Sequence, residues 1–442
     1  MFKLYKNETV YQVFIRNYTK EGSISAFIKK LDYIQSLGVS YIQLLPVHPI
    51  GKIGRKGSYG SPYSIQDYLA ISADLGNFDD FALLIKEAHQ RNLKIIMDMV
   101  FNHTSKDSLL LKEHPDYYLH NQKGDFFCKC ADWSDVYDLD HNNPALEEYL
   151  CNVLLKYVNL GVDGFRFDLM ALIDIDTIDV ASLIKPSFFK MSKERIMKIN
   201  PDILYIAEAV DAGFINYMRS QGFAAYSNQE LAASGIDVLY HYSSWHWLKK
   251  FLADKTNSNL EEYKAAFTVE TSSINNNALI MRAIENHDYP RLASYSKNDS
   301  FTRNLLAFSF FTKGLAFIYG GEECKDTKTC PLFEKEPINL TIHDQDYFSF
   351  VKELISLKKK ELSVDLMISN MEDSSPYSMV VTNYFSNKEP IIGIFNLKEE
   401  NNLISSSRLT DGNYLDLLTH KEYLIKNHSV LVDRPLFLEK KN

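Results

Sequence analysis

The chain has 442 residues, enough for two or three domains around a large buried core. Its 48 Lys and Arg stand against 57 Asp and Glu, a formal charge of −9, which argues against a partner such as nucleic acid or an anionic membrane that requires a cationic surplus. With 13% aromatic residues it is not a disordered low-complexity chain either.

The N-terminal stretch carries Lys3, Lys6 and Glu8 where a signal peptide needs an unbroken apolar run. Val10 to Ile15 reads as a strand. Ile24, Phe27, Ile28, Leu31, Ile34 and Leu37 follow at helical spacing, and Gly38 stops that helix. Tyr41 to Pro46 is a second strand, and Asn77 can cap a helix whose apolar face is Phe81, Leu84, Ile85 and Ala88. Leu93 to Val100 reads as a continuous apolar run, as a strand covered on both faces should be. A helix near Ala145 to Leu160, a strand from Val162 to Phe167, a helix around Lys193 to Ile199 and a strand from Ile203 to Ala207 continue the alternation. A sixth strand and its following helix are expected within Gly222 to Tyr240. A strand near Leu279 to Ile284, a helix around Thr302 to Phe311 and a strand from Leu315 to Tyr319 complete eight units. This rhythm predicts an α/β fold, a (β/α)8 TIM barrel. No glycine-rich dinucleotide loop follows the first strand, which weakens an open doubly wound sheet.

Two segments leave the rhythm. Between Asn102 and Ala145 a long excursion rich in Asp, His, Lys and aromatics interrupts the third strand–helix connection, and such length is usually functional. After a helix from Tyr347 to Lys360, whose Lys358-Lys359-Lys360 end reads as solvated, the texture changes near Val364 to short strands. Ser378 to Tyr384, Ile391 to Asn396 and Val430 to Val432 are three of them, and Asp411-Gly412 is a turn signal. The expected organisation is a barrel over 1–103 and 138–362, a short inserted domain over 104–137 after the third strand, and a C-terminal all-β, sandwich-like domain over 363–442. The apolar run Leu305 to Tyr319 is broken by Thr312-Lys313-Gly314 and falls short of a membrane span. Cys128, Cys130, Cys151, Cys324 and Cys330 are an odd set, read as reduced thiols of a cytoplasmic protein, and no Cys/His pair at zinc spacing joins Cys128-x-Cys130.

In a TIM barrel the strand C-termini build the active site. Four of them carry acids: Asp98 with Asn102-His103 beyond it, Asp168, Glu208, and Glu285 with Asn286-His287-Asp288. One Asp after an apolar strand is usually a cap or an ion pair; four at one end of a barrel form a cluster suited to acid/base and nucleophilic chemistry on a neutral substrate. Arg166 lies two residues before Asp168, on the same side of the strand, where it can hold Asp168 ionised and oriented. Glu208 has no adjacent cation in sequence and is the freer of the two to carry a proton.

These segments resemble the signature regions of glycoside hydrolase family 13, the α-amylase family. Asp98-Met99-Val100-Phe101-Asn102-His103, Gly164-Phe165-Arg166-Phe167-Asp168, the stretch around Glu208, and Asn286-His287-Asp288 match its four regions in order. Gly60-Ser61-Pro62-Tyr63, Asp138-Leu139-Asp140 and Gly314 to Glu322 support the match. The resemblance implies that Asp168 is the nucleophile of a retaining glycosidase, Glu208 its general acid/base, and Asp288 the acid that grips sugar hydroxyls in the transition state. It implies that Arg166 orients Asp168, that His103 and His287 bind the sugar at the cleaved position, that Tyr63 stacks on that sugar, and that Asp98 and Asn102 support them. His48, Arg291 and Trp133 stand open between substrate contact and packing. The implied reaction is hydrolysis of α-1,4-glucosidic bonds in maltodextrins, with no nucleic-acid or membrane partner.

The sequence departs from the pattern after the nucleophile, where Leu169-Met170-Ala171-Leu172 replaces a Lys/Arg–His pair and Leu172 takes the place of the family's calcium-linked histidine. The excursion has no dense Asp loop of calcium-binding spacing, so no metal or other cofactor is expected at that site. The string Phe165 to Met170 resembles pullulanases, which cleave α-1,6 links; those carry further domains before the barrel, whereas this chain begins at strand one, and α-1,4 hydrolysis stays the primary expectation. An α-1,6-acting enzyme or a 4-α-glucanotransferase on the same scaffold is the alternative. A barrel metalloenzyme would use the same acids, and a non-catalytic relative would lack some of them.

Overall fold

The computed structural model describes residues 7–173, 188–255, 258–274, 278–296, 298–363, 366–372, 375–398 and 400–441. Eight parallel strands close into a barrel: β1 (Thr9–Val13), β2 (Tyr41–Leu44), β3 (Lys94–Met99), β4 (Gly164–Phe167), β5 (Leu204–Ala207), β6 (Val238–Tyr240), β7 (Leu279–Arg282) and β8 (Leu315–Tyr319). Each strand pairs with its neighbours in chain order, and β8 closes on β1. Period-two alternation divides their side chains between two cores. Val10, Ile96, Leu204, Ile206, Val238, Tyr240, Met281, Leu315 and Phe317 fill the lumen. Ile95, Met97, Met99, Phe165, Phe167, Tyr205 and Ala207 face out against the helices.

The helices begin and end where local chemistry dictates. Asn77 and Asp80 form a capping box at the start of the helix Phe78–Gln90, and Gly38 ends the helix Leu31–Leu37 in the left-handed region at φ 91°. The sixth unit differs from the expectation. Its strand is the last three residues of Gly222–Tyr240, and its following helix, Tyr242–Ala253, lies beyond that segment. The space before the strand holds a short helix, Asn228–Ala233, with a capping box from Ser227 and Glu230. A three-residue strand leaves too short an apolar run to read by periodicity.

The C-terminal residues form an antiparallel six-stranded sheet with a separate two-stranded piece, Asn402–Ser405 paired with Ser429–Val432. Ile394, Ile404, Leu409, Ile425, Val432 and Leu438 are the core between them. The expected texture change at Val364 falls outside the described residues. The preceding lysine run is not wholly solvated: Lys358 is fully buried and its Nζ donates to the Thr312 carbonyl at 2.7 Å. The end of that helix is packed against the barrel, so a lysine there is served by a carbonyl instead of water.

Candidate active site

The same alternation that fills the lumen carries its rows of side chains up to the C-terminal mouth. Ile96 and Asp98 on β3, Gly164, Arg166 and Asp168 on and beyond β4, and Leu204, Ile206 and Glu208 on and beyond β5 all share the inward parity. Asp98 is the direct cross-strand neighbour of Arg166, and the Asp168 N–H extends the ladder to the Met99 carbonyl at 3.0 Å. The Glu208 N–H does the same to Phe167, also at 3.0 Å. The three acids therefore surround one guanidinium at adjacent levels of the barrel.

Arg166 is fully buried, and its Nη1 donates to both oxygens of Asp98, at 2.8 and 3.0 Å, and to Asp168 Oδ1 at 3.0 Å. Its Nη2 lies 2.9 Å from Glu208 Oε1. Glu208 has no adjacent cation in sequence, and in the fold the neighbouring strand supplies one. Glu208 Oε2 accepts the Leu169 N–H at 2.7 Å, and Leu169 offers it from a left-handed conformation, φ 43° and ψ 37°. Among the described residues, Asp168 Oδ2 has no hydrogen-bond partner.

Around this centre lie the other expected residues. Tyr63 Oη donates to Asp98 Oδ2 at 3.0 Å and lies 2.6 Å from His287 Nε2. Burial, reinforced by the Arg166 charge, holds His287 neutral, down at about 3. One ring proton remains; placed on Nε2 it serves Tyr63, while Nδ1 lies 3.3 Å from the Gln12 amide. Asp288 receives the Tyr242 hydroxyl at 3.3 Å, and its backbone N–H is fixed by Asn286 Oδ1 at 2.8 Å. Asn102 donates its amide to His103 Nδ1 at 3.0 Å, and the His103 ring lies 5.5 Å from that of Trp133. Tyr63, His103, Asp168, Glu208, His287 and Asp288 all line one cavity of about 300 Å³.

Burial sets the protonation of the cluster. It pushes Asp98 up to about 6 despite the guanidinium. Asp168 is raised well above the usual carboxylate range, by burial first and by the Glu208 charge second, with Arg166 opposing. Asp288 is raised by burial too. Arg166 does act to keep Asp168 ionised and orients it, but the one guanidinium is shared among three acids, and burial with the neighbouring carboxyl opposes it.

The excursion is tied to the turn after Asp168 by a lysine with a buried side chain. Two short strands, His103–Ser105 and Val136–Asp138, close its base. Lys129 Nζ donates to the Leu172 carbonyl at 2.6 Å, and the Lys129 N–H donates to Asp138 Oδ2 at 2.9 Å. Leu172 belongs to the turn Met170–Leu172 directly after Asp168 and Leu169. Among the described residues, no cluster of three or more His, Cys, Asp or Glu side chains could hold a metal ion.

Of the three open residues, Trp133 lines the cavity. His48 is buried with the Ala70 carbonyl and Tyr157, and Arg291 pairs with Glu285 at 2.6 Å, so both are structural. Sequence reasoning missed Lys56, Asp135, Leu332 and Phe333, which also line the cavity. It missed Gln12 and Tyr242 as well. A polar Gln inside an apolar strand was a readable signal; the loop residues carry none.

Comparison with known proteins agrees with this geometry. Residues 7–135 and 117–375 match the family model "Alpha amylase, catalytic domain", and residues 371–435 match "Bacterial Alpha amylase C-terminal domain". Alpha-amylase 3 of Dictyoglomus thermophilum is 27% identical over 351 residues, covering 72% of this chain and 64% of its own. The intracellular maltogenic amylase of Bacillus subtilis is 26% identical over 365 residues, 77% of this chain and 55% of its own. The chain thus spans between 55% and 64% of the length of these curated relatives. The crystal structure of an α-amylase from Lactobacillus plantarum superposes with a TM-score of 0.88 at 29% identity, covering 98% of this chain and 99% of the other. With its catalytic-domain match covering well over half of the sequence, the chain belongs to the α-amylase family of glycoside hydrolases.

Proposed function

We propose that the chain hydrolyses α-1,4-glucosidic bonds of maltodextrin-like oligosaccharides with retention of configuration. The observation that carries this reading is the single buried guanidinium holding Asp98 and Asp168 and touching Glu208, beneath a cavity lined by Tyr63, His103, His287 and Asp288. Asp168 Oδ1 is anchored by Arg166 and Oδ2 is free to attack the anomeric carbon. Glu208 gives its proton to the glycosidic oxygen as that bond breaks, leaving a glycosyl ester on Asp168. Glu208, now a carboxylate, takes a proton from water as the water oxygen attacks the same carbon and releases Asp168. Two inversions give retention. Asp288, His103 and His287 hold the hydroxyls of the sugar at the cleaved position, and Tyr63 backs its apolar face.

No calcium is needed where the family's calcium-linked histidine would stand. The Lys129 ammonium already occupies the Leu172 carbonyl, and a divalent ion joining that oxygen would meet its charge. The enzyme works inside the cell on this reading, supported by five unpaired cysteines and by the printed name of the Bacillus subtilis relative. No helix among the described residues is long and apolar enough to cross a membrane.

Timed product profiles from maltoheptaose and pullulan, with NMR of fresh digests, test the proposal. Short maltodextrins in the α-configuration should appear first from maltoheptaose. An initial β-anomer would overturn the retaining mechanism. Faster cleavage of pullulan would move the assignment to α-1,6 bonds, in line with the Asp168-Leu169-Met170 string, and longer products than the substrate would make it a transferase.

A further inference from the structure

The barrel order places the two sides of the substrate. Glu208 follows β5, and the group it protonates leaves on that side. Around the closed barrel, β5 stands opposite β1, which is flanked by β2 and β8. The part of the glucan that stays on Asp168, with everything toward its non-reducing end, is therefore directed over β1, between the loops that follow β2 and β8.

Those loops are joined there. The Tyr59 N–H donates to the Phe333 carbonyl at 3.0 Å and the Ser58 N–H to Glu334 Oε1 at 2.9 Å. Arg16, in the short helix Ile15–Tyr18 after β1, ties the two together, donating to the carbonyls of Gly60 at 3.1 Å and Leu332 at 3.2 Å. Gly57 has φ 60°, and a Cβ there would lie 2.7 Å from Phe333 Cβ, so a close backbone approach is built into the sequence. The excursion joins the same wall: Lys56 Nζ meets Asp135 Oδ1 at 3.1 Å, with the Asp135 side chain 4% exposed, and stands 5.9 Å from the centre of the Phe333 ring. Lys56, Asp135 and Phe333 all face the cavity, whose volume of about 300 Å³ is at the small end for a ligand site.

We infer that this three-loop wall closes the non-reducing side of the site, so that the enzyme removes short units from non-reducing chain ends instead of cutting within chains, with Lys56 and Phe333 as the residues that set this limit. The inference rests on the hydrolase reading above, because the direction of the substrate follows from the roles of Asp168 and Glu208. It identifies the substrate class as α-glucan oligosaccharides with a free non-reducing end.

Maltoheptaose and maltoheptaose capped with a benzylidene group at its non-reducing end distinguish the outcomes when products are separated by chromatography. The wild-type enzyme should cleave the free substrate at least roughly tenfold faster than the capped one. In Lys56→Ala and Phe333→Ala, each checked for native thermal unfolding, that ratio should fall toward one as the wall opens. Equal rates on both substrates with the wild type would overturn the closed wall while leaving hydrolysis intact. An unchanged ratio in both folded variants would overturn the assignment to these two residues. Inactivity on both substrates would overturn the hydrolase reading itself and this inference with it.

Discussion

Leu169 donates its backbone N–H to Glu208 Oε2 at 2.7 Å from the left-handed region of backbone space, φ 43°. A non-glycine residue there is strained, by about 1–3 kcal/mol, and persists only where the surroundings demand it. The demand comes from both ends of the turn: Asp168 is in the barrel ladder, and Leu172 is held by Lys129. Leu169→Gly should keep the bond without strain and retain kcat within about tenfold. Leu169→Val, a β-branched residue poorly suited to positive φ, should destabilise the protein by about 1–3 kcal/mol in thermal or denaturant unfolding. A fully stable, fully active Leu169→Val would show that the turn is not under this constraint.

Asp168→Asn and Glu208→Gln should each lower kcat by at least about a hundredfold while the far-UV circular dichroism stays native. Each removes one member of the attacking and proton-transferring pair. Full turnover by either folded variant is incompatible with the proposed roles.

Asp98 contributes two of the contacts to Arg166 Nη1 and is its direct cross-strand neighbour. Asp98→Ala leaves a buried guanidinium short of charge compensation, which should cost about 3–5 kcal/mol. Thermal unfolding at neutral pH reads this. A melting temperature equal to that of the wild type would mean that Asp168 and Glu208 suffice to neutralise Arg166.

The pH profile follows from the same crowding of acids. Attack requires Asp168 ionised while Glu208 keeps its proton, and burial, the largest cause, raises Asp168 well above the usual carboxylate range. A raised carboxyl loses its proton at higher pH, so activity rises with pH through a limb displaced upward. Measured from about pH 4 to pH 8, the rising limb of kcat/KM should have its midpoint above the ordinary carboxylate value of about 4. A midpoint close to 4 would place the cluster in a more solvated state than this geometry allows.

Initial rates should survive dialysis against EDTA, because Lys129 supplies the positive charge at the Leu172 carbonyl. Lys129→Met should leave that carbonyl without its charged donor and cost about 1–3 kcal/mol of stability. A large loss on chelation that calcium restores and magnesium does not would show that a metal, not the ammonium, holds the excursion to the turn.

Much of the site is a consequence of local pattern. Apolar runs of strand length, each ending in an acid, are readable because side chains alternate with period two whatever the rest of the chain does. The inward parity shared by Arg166 and Asp168, the capping of the helix after Asn77 and the eight-unit rhythm all follow from residues within a few positions of one another. The short strand Val238–Tyr240 marks the limit of that reading, since three residues carry too little periodicity to be placed.

Which charges meet is decided by closure of the barrel. Register sets Arg166 beside Asp98 across β3 and β4 and brings Glu208 in from β5, and no spacing in the chain records that one guanidinium serves three acids. The Lys129 bond to Leu172, the Lys56 pair with Asp135 and the approach of Gly57 to Phe333 join residues from separate loops, the last of them far apart in sequence. Such contacts arise only when parallel strands bring the ends of distant connections to one face. Burial then acts on whatever has been gathered there, raising Asp98 and Asp168 and holding His287 neutral, because removal from water depends on the finished packing and not on the neighbours in the chain.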